Sequence, residues 1–233
     1  MRSKARWRMT RPAQLTIATT MLAVPASAIA LTTAALPQTP ADAQTPLKID
    51  VEPVRVAPQL RVSRRSFDLL SGQRMDLRGR MLPPVAGRRL RLQARAGHAW
   101  DTLATTRTGA RGAFDLHYRP ATAGQRSLRV LFSGDRLNVG ASRPAGKLTV
   151  YDLSVASWYV DAGSTACGFH ATFGVANRDL PCGARVGFRY GGRSVTAVVD
   201  DRGPFVGGRD WDLNQNTAAA LGFGGVGTVW STA

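Results

Sequence analysis

Short runs of alternating apolar and polar residues fill the middle of this chain, and glycines separate many of them. Period-two alternation is typical of strands, whereas an amphipathic helix needs apolar residues three and four apart. The alternation predicts a mainly β fold, and between residues 59 and 150 it predicts a β-sandwich with strands about every 8 to 15 residues. The predicted strands are Leu60–Val62, Met75–Leu77, Arg89–Ala94, Trp100–Thr105, Phe114–Tyr118, Leu128–Phe132 and Leu148–Tyr151.

The strand around Leu90 shows the pattern best, because alternation places Arg89, Arg91 and Arg95 on its solvent face. The whole segment resembles the bacterial immunoglobulin-like modules of secreted proteins, which implies an Ig-like sandwich. His98 and His117 have no partners at metal-ligand spacing, so we expect both to be surface or turn residues.

The positive charge of the chain is concentrated in this segment. Residues 47–150 hold 20 Lys and Arg against 7 acidic residues, whereas residues 151–233 hold 6 against 7. The basic face has two interpretations: a solvated surface, or electrostatic retention on anionic wall polymers or phospholipid headgroups. Nucleic acid is not an expected partner, because no aromatic residues interleave with the basic strands and the chain is predicted to be exported.

Residues 1–43 have the pattern of an export signal or membrane leader. Five basic residues lie within the first 11 positions, and the stretch from Leu15 to Ala41 carries no charge. Small-residue cleavage patterns end at Ala28 and Ala43, and the alternative is an uncleaved anchor. Residues 44–58 contain three prolines and predict an extended linker. We therefore expect the remainder to lie outside the cytoplasmic membrane, in the wall, the periplasm or the medium.

Four carboxylates lie within the sixteen residues from Val198 to Leu213, next to a predicted buried strand, Ser194–Val199. The sequence Arg202-Gly203-Pro204 has to leave that strand, because proline cannot donate to a strand ladder. Asp200 and Asp201 are therefore expected at a strand end facing a turn. After the turn, alternation places Asp210 and Asp212 on one face and Trp211 on the other.

Six short motifs follow one another in the last 83 residues: Ser157–Tyr159, Thr165–Gly168, Leu180–Gly183, Asp201–Phe205, Arg209–Leu213 and Ala218–Gly222. Together they resemble the double-psi β-barrel of the rare lipoprotein A family, which includes lytic transglycosylases of peptidoglycan. Expansins share the barrel. The resemblance implies a six-stranded barrel with one short helix over residues 151–233. The residues independently predict that helix, since Asn214 can cap its start and Gly222 can end it.

Cys167 and Cys182 are the only cysteines of the chain. In an exported protein a disulfide is the natural interpretation. A catalytic thiol with His170 as its base, and a metal-binding pair, are the alternatives. Nothing else in the sequence calls for a metal or an organic cofactor.

Cleavage of a glycosidic bond needs a proton donor, which is normally a carboxylic acid. The family resemblance implies a reaction in which one acid suffices, because the same group later deprotonates the 6-hydroxyl of the sugar. The single glutamate, Glu52, lies in the linker, so the acid has to be an aspartate. Asp212 is the first candidate and Asp201 the second. Where family members commonly have glutamate this chain has Phe169, and His170 is the candidate replacement.

Further side chains of the same motifs are expected to bind substrate: Trp158, Tyr159, Phe169, Arg202, Arg209 and Trp211. Structural alternatives are an Asp201–Arg202 ion pair and a bond from Asp212 to amides of the helix. Two functions follow from the sequence. One is a peptidoglycan lytic transglycosylase acting on glycan strands, and the other is a non-catalytic, expansin-like module that binds or loosens the wall.

Overall fold

Thirteen β-strands and one short helix make up the part of the chain that the computed structural model describes, residues 54–63 and 65–233. The predicted leader and the linker up to residue 53 lie outside these residues. No helix within them is both long and apolar enough to cross a membrane. The strands are β1 Gln59–Val62, β2 Arg65–Leu70, β3 Met75–Leu82, β4 Arg89–Ala96, β5 Ala99–Arg107, β6 Ala113–Tyr118, β7 Gly124–Phe132, β8 Ala141–Tyr159, β9 Gly174–Ala176, β10 Arg185–Tyr190, β11 Arg193–Asp201, β12 Trp211–Asn214 and β13 Gly227–Ser231, and the helix is α1 Gln215–Leu221.

Two sheets pack face to face in the first half of the described chain. One has the strand order β1-β3-β6, and in the other β2, β8, β7, β4 and β5 pair in that order. Their inner faces share one buried core, built by residues such as Met75, Leu77, Leu116, Leu90, Leu92 and Val130. Because alternate residues of each strand point inward, the short apolar-polar runs are enough to build this β-sandwich.

All seven strands predicted in this half lie within observed strands, and β2 is the one that the sequence analysis missed. β2 pairs with β8 in parallel, so no hairpin turn in the sequence indicates this strand. In β4 the arginines point outward as predicted, with Arg89 and Arg95 exposed and Arg91 half-buried. An irregularity between Leu92 and Gln93 then shifts the register, and Gln93 is buried.

The second half is a closed six-stranded barrel. Its strands pair around a ring in the order β8, β12, β9, β11, β10, β13, and β13 pairs again with β8. The barrel encloses its own core, which includes Val175, Phe188, Val199, Leu213 and Val229. The predicted six-stranded barrel with one helix is therefore confirmed.

One strand serves both halves. β8 has 19 residues, and the domain boundary predicted at residue 150 falls inside it. Its first part pairs with β7 and β2, and its last part pairs with β12 and β13. No glycine or proline interrupts the run from Leu148 to Tyr159, so the strand can continue from one half into the other.

The helix begins and ends where the sequence predicts. Asn214 is its N-cap, and the side chain of Asn214 accepts a hydrogen bond from the Thr217 N–H. Gly222 ends it in the left-handed conformation at φ 66°, which glycine adopts without steric cost. The helix follows directly on β12, the barrel strand that carries Asp212.

Candidate functional site

Strand register brings Asp201 and Asp212 onto the same side of the barrel wall. Ala176 of β9 lies between them, because it pairs with Asp201 on β11 and with Asp212 on β12. The adjacent register partners Val199, Val175 and Leu213 face the core. With strands about 4.8 Å apart, the two aspartate Cα atoms lie roughly 9.5 Å apart on the outer face. Both carboxylates are partly exposed.

Asp212 is held from its own sheet. The hydroxyl of Ser157, its register partner on β8, donates to Asp212 Oδ1 at 2.8 Å. The first turn of the helix is capped by Asn214 instead, so the alternative in which Asp212 bonds the helix amides is wrong. Asp212 thus has one fixed oxygen and a partly exposed carboxyl group.

Asp201 anchors the loop that carries the cysteines. Its Oδ1 accepts from the backbone N–H groups of Ala166 and Arg202, each at 2.8 Å. Cys167 and Cys182 form the predicted disulfide, which ties the same loop to the segment before β10. One carboxylate oxygen of Asp201 therefore holds this loop in place, independently of any role of the other oxygen.

The two arginines predicted to bind substrate differ in their contacts. The Arg202 guanidinium donates to the Asn177 carbonyl at 3.1 Å and to Cys182 Sγ at 3.2 Å. Among the described residues it makes no ion pair with Asp201, so that alternative is wrong and Arg202 holds the loop. Arg209 is partly exposed, and its carbonyl accepts a hydrogen bond from Arg178.

His170 pairs with an aspartate that the sequence analysis did not single out. Its Nδ1 lies 3.0 Å from both carboxylate oxygens of Asp161. The imidazole is half exposed, at 48%, whereas the Asp161 side chain is 11% exposed. The hydrogen bond that His170 donates to Asp161 raises the pKa of His170 above its ordinary value. The one signal for Asp161 was an acidic residue in a polar loop between two motifs.

We expect Asp161→Asn to lower the pKa of His170, because the amide carries no charge to stabilise the imidazolium. The titration of the His170 Cε1–H resonance by NMR measures this directly. In the parent the pair stabilises the fold below the ordinary histidine pKa, about 6.5, and that contribution is lost as pH rises through the higher folded pKa. Asp179→Asn, an exposed aspartate, is the control. Identical His170 titrations in all three proteins would contradict the pairing.

Asp200 lies at the end of β11, as predicted, but its side chain is fully buried instead of facing a turn. It lies in the irregularity that separates Val199 from Asp201, where the alternation of β11 breaks. Its Oδ2 accepts from the Ala171 N–H at 2.8 Å, and its buried Oδ1 has no hydrogen-bond partner among the described residues. Burial raises the pKa of Asp200.

The hydroxyl of Tyr159 lies near the acidic residues of the barrel. It is buried and has no hydrogen-bond partner within the described chain. Burial raises the pKa of Tyr159, and the carboxylates of Asp200, Asp161, Asp201 and Asp212 raise it further. The hydroxyl is therefore buried beside these carboxylates, and the substrate contact of Tyr159 stays a prediction.

Gly174→Ala should displace Asp200, because a Cβ at position 174 would overlap the Asp200 carboxylate. We expect the free energy of unfolding to fall by about 1–3 kcal/mol, the usual effect of overpacking a well-packed site. Gly207→Ala is the matched control, since a Cβ there meets no atom within 4 Å. Urea unfolding of both variants tests this, and equal stabilities would show that Asp200 can move without cost.

Exposed aromatic rings lie in the segments that bear the acidic residues. Trp158 is 43% exposed, Phe169 40% and Phe205 82%. Trp211 is only 3% exposed and packs edge-on against Phe188, with ring centroids 5.1 Å apart. The predicted substrate contact of Trp211 is therefore wrong, because its side chain faces the barrel core as the alternation of β12 requires.

The acidic residues lie on a partly exposed face, and the cavities of about 300 to 540 Å³ are lined by other residues. Within the described residues, no group of three or more His, Cys, Asp and Glu side chains is placed to hold a metal ion. The geometry offers two partly exposed carboxyl groups on one face of the barrel, and such groups can protonate a glycosidic oxygen.

A comparison with known protein families finds a match that covers this barrel. A double-psi β-barrel family model described as lytic transglycolase covers residues 153–230. The matched residues run from β8 to β13, the strands of the barrel. Among curated proteins, the chain is similar to the "Probable endolytic peptidoglycan transglycosylase RlpA" of Synechocystis sp., with 37% identity over 91 residues. The match covers 32% of this chain and 26% of that relative, so the chain spans about a quarter of the relative's length.

Among solved structures, the chain is similar to one from a study titled "Structural basis of T cell specificity and activation by the bacterial superantigen toxic shock syndrome toxin-1", at 13% identity and TM-score 0.33. The likeness covers 40% of this chain and 99% of that one. A "Marsupial T cell receptor" chain gives the same TM-score at 12% identity, over 76% of this chain and 85% of that one. These values carry no argument about fold, and the immunoglobulin-like kinship of the sandwich stays a prediction.

Proposed function

We propose that this chain is an exported, peptidoglycan-directed protein whose double-psi barrel cleaves glycan strands as a lytic transglycosylase. The observation that carries the proposal is the placement of Asp201 and Asp212 on one partly exposed face of a barrel of this family. The printed name of the Synechocystis relative, a probable endolytic peptidoglycan transglycosylase, supports the same class of substrate and reaction.

In this proposal Asp212 is the acid. It protonates the leaving oxygen as the glycosidic C–O bond breaks, and its carboxylate then takes the proton of the sugar's own 6-hydroxyl as that oxygen bonds to the anomeric carbon. The proton returns to Asp212, and the product carries a 1,6-anhydro ring. Asp201, two strands away, supplies negative charge beside the positive charge that develops on the sugar ring.

His170 directly follows Phe169, the position at which this chain departs from the family pattern. Its hydrogen bond to Asp161 orients the imidazole and favours the charged form, so that it can donate to a sugar oxygen. Phe169 and Trp158 are exposed enough to stack on sugar rings. We assign Arg209 to the same surface, because its side chain is partly exposed.

A second function is favoured by one specific observation, the phenylalanine at position 169 where relatives commonly have glutamate. In that alternative the same face binds glycan without cutting it, and the protein is a wall-binding or wall-loosening module. In either case we propose that the chain acts outside the cytoplasmic membrane and that its basic sandwich contributes electrostatic retention.

Digestion of purified sacculi with the exported part of the chain separates the two functions. Lytic transglycosylase action predicts soluble muropeptides with 1,6-anhydro ends, which mass spectrometry identifies by the loss of one water relative to hydrolysed ends. Release of reducing ends would replace the proposed reaction by hydrolysis. Cosedimentation with sacculi and no released product would favour the binding module.

A further inference from the structure

A polar cavity lies where the sandwich meets the barrel, away from Asp201 and Asp212. Its volume is about 540 Å³, which is within the range of small-molecule sites. One wall comes from β2, β7 and β8 and the other from β10 and β11. Hydroxyl, amide and cationic groups line it, among them Gln125, Lys147, Thr149, Arg185, Ser194 and Thr196. We refer to it below as the junction cleft.

The two walls of the junction cleft are joined by direct contacts. Arg189 of the barrel donates to Asp68 of β2 at 3.2 Å. Beside it the rings of Tyr151 and Trp230 lie 5.8 Å apart. Because β8 also runs unbroken through both halves, the cleft is built before any ligand arrives. This preorganisation lowers the ordering cost of binding.

The charge of the junction cleft is positive. Its one carboxylate, Asp68, is paired with Arg189, whereas Lys147 and Arg185 make no ion pair among the described residues. Thr149 is 7% exposed and Gln125 donates to its hydroxyl at 3.4 Å, so polar groups reach the floor of the cleft. Two cations among hydroxyl and amide groups suit an anion that also bears hydroxyls.

The cleft continues into a neighbouring cavity of about 490 Å³ through Lys147, which lines both. There the Arg129 guanidinium lies 4.1 Å above the Trp100 ring, adding a third cation along the same sheet. A row of cations along two adjoining cavities suits an extended ligand with repeated negative charges.

We propose that the junction cleft binds a segment of an anionic, hydroxyl-rich wall polymer, whose charge is carried by phosphate or carboxylate groups. The site is distinct from the candidate glycan site, because Thr196 and Ser194 lie about 16–23 Å along β11 from Asp201 at 3.3 Å per residue. The proposal goes beyond the proposed function, and it gives the retention of the protein in the wall a specific place.

Isothermal titration calorimetry with three probes tests this: a glycerol-phosphate oligomer, an oligogalacturonate and a neutral chitooligosaccharide. We compare the Lys147→Gln/Arg185→Gln variant with Arg111→Gln/Arg136→Gln, which removes the same charge from exposed positions outside the cleft. We expect at least about tenfold weaker binding of an anionic probe by the first variant and less than about twofold by the second. Unchanged thermal unfolding shows that both variants fold.

Preference for the phosphate or the carboxylate probe identifies the source of the charge, and either supports the proposal. Equal losses in the two variants would overturn it, since they would reduce the effect to net charge. Absence of binding by either anionic probe would overturn it as well. The barrel is not proposed to cleave either anionic probe, so these results are independent of glycan cleavage.

Discussion

Asp212→Asn should abolish the release of anhydro-muropeptides from sacculi, with a fall in rate of about 10²- to 10⁴-fold, the usual contribution of a general acid. Asparagine cannot give up a proton to the leaving oxygen. The Ser157 hydroxyl can still donate to the asparagine carbonyl oxygen, so the hydrogen bond that holds this position survives. We therefore expect the variant to fold and to bind sacculi, and quantitative mass spectrometry of the soluble products measures the loss.

Asp179→Asn, an exposed aspartate of the same barrel, is the matched control and should digest sacculi at the parent rate. Asp201→Asn should also lose activity, but its asparagine can keep the bonds from the Ala166 and Arg202 amides through the carbonyl oxygen. If Asp212→Asn retained activity while Asp201→Asn lost it, the acid would be Asp201. Parent-like rates in both variants would show that neither carboxylate takes part in catalysis.

Replacing both cysteines by alanine should lower the free energy of unfolding by about 3 kcal/mol, which is the chain-entropy value for a loop of this size. The two cysteines are 15 residues apart, and the closed loop carries His170. The double replacement also removes the Cys182 sulfur, which accepts a hydrogen bond from Arg202. Urea unfolding by tryptophan fluorescence gives the free energy.

The reduced parent is the control for the cysteine variant. It should unfold at the same urea concentration as the double alanine variant, whereas the oxidised parent should be more resistant. Equal stability of the oxidised and reduced parent would contradict a stabilising role for this disulfide. Activity is expected to fall together with stability, because Asp201 and the disulfide hold the same loop.

Much of this fold could be predicted from local patterns. Alternation located the sandwich strands, since one face of each is buried, and a cap at each end located the helix. The ordered motifs of the last 83 residues predicted the barrel, and two lone cysteines in a chain expected to be exported predicted the disulfide. These features depend on residues that are near one another in sequence or on a motif that recurs as a unit.

The parts that escaped prediction depend on pairing between distant segments. β2 forms because β8 offers a parallel edge, and Asp161 matters because the next loop brings His170 to it. The sequence Arg202-Gly203-Pro204 placed Asp200 at a strand end facing a turn, but at the irregularity in β11 its side chain is fully buried. Likewise Trp158 and Trp211 carry the same sequence signal, yet the first is 43% exposed and the second 3%.

The most direct test is a ¹H–¹⁵N NMR titration of Asp212→Asn, which prevents turnover, with peptidoglycan glycan oligosaccharides freed of peptides. The account predicts the largest shifts at Asp201, Ala176 and residue 212, with little change in the β1-β3-β6 sheet. Shifts confined to the sandwich, or no shifts at all with the variant folded, would contradict the claim that this face of the barrel binds the glycan.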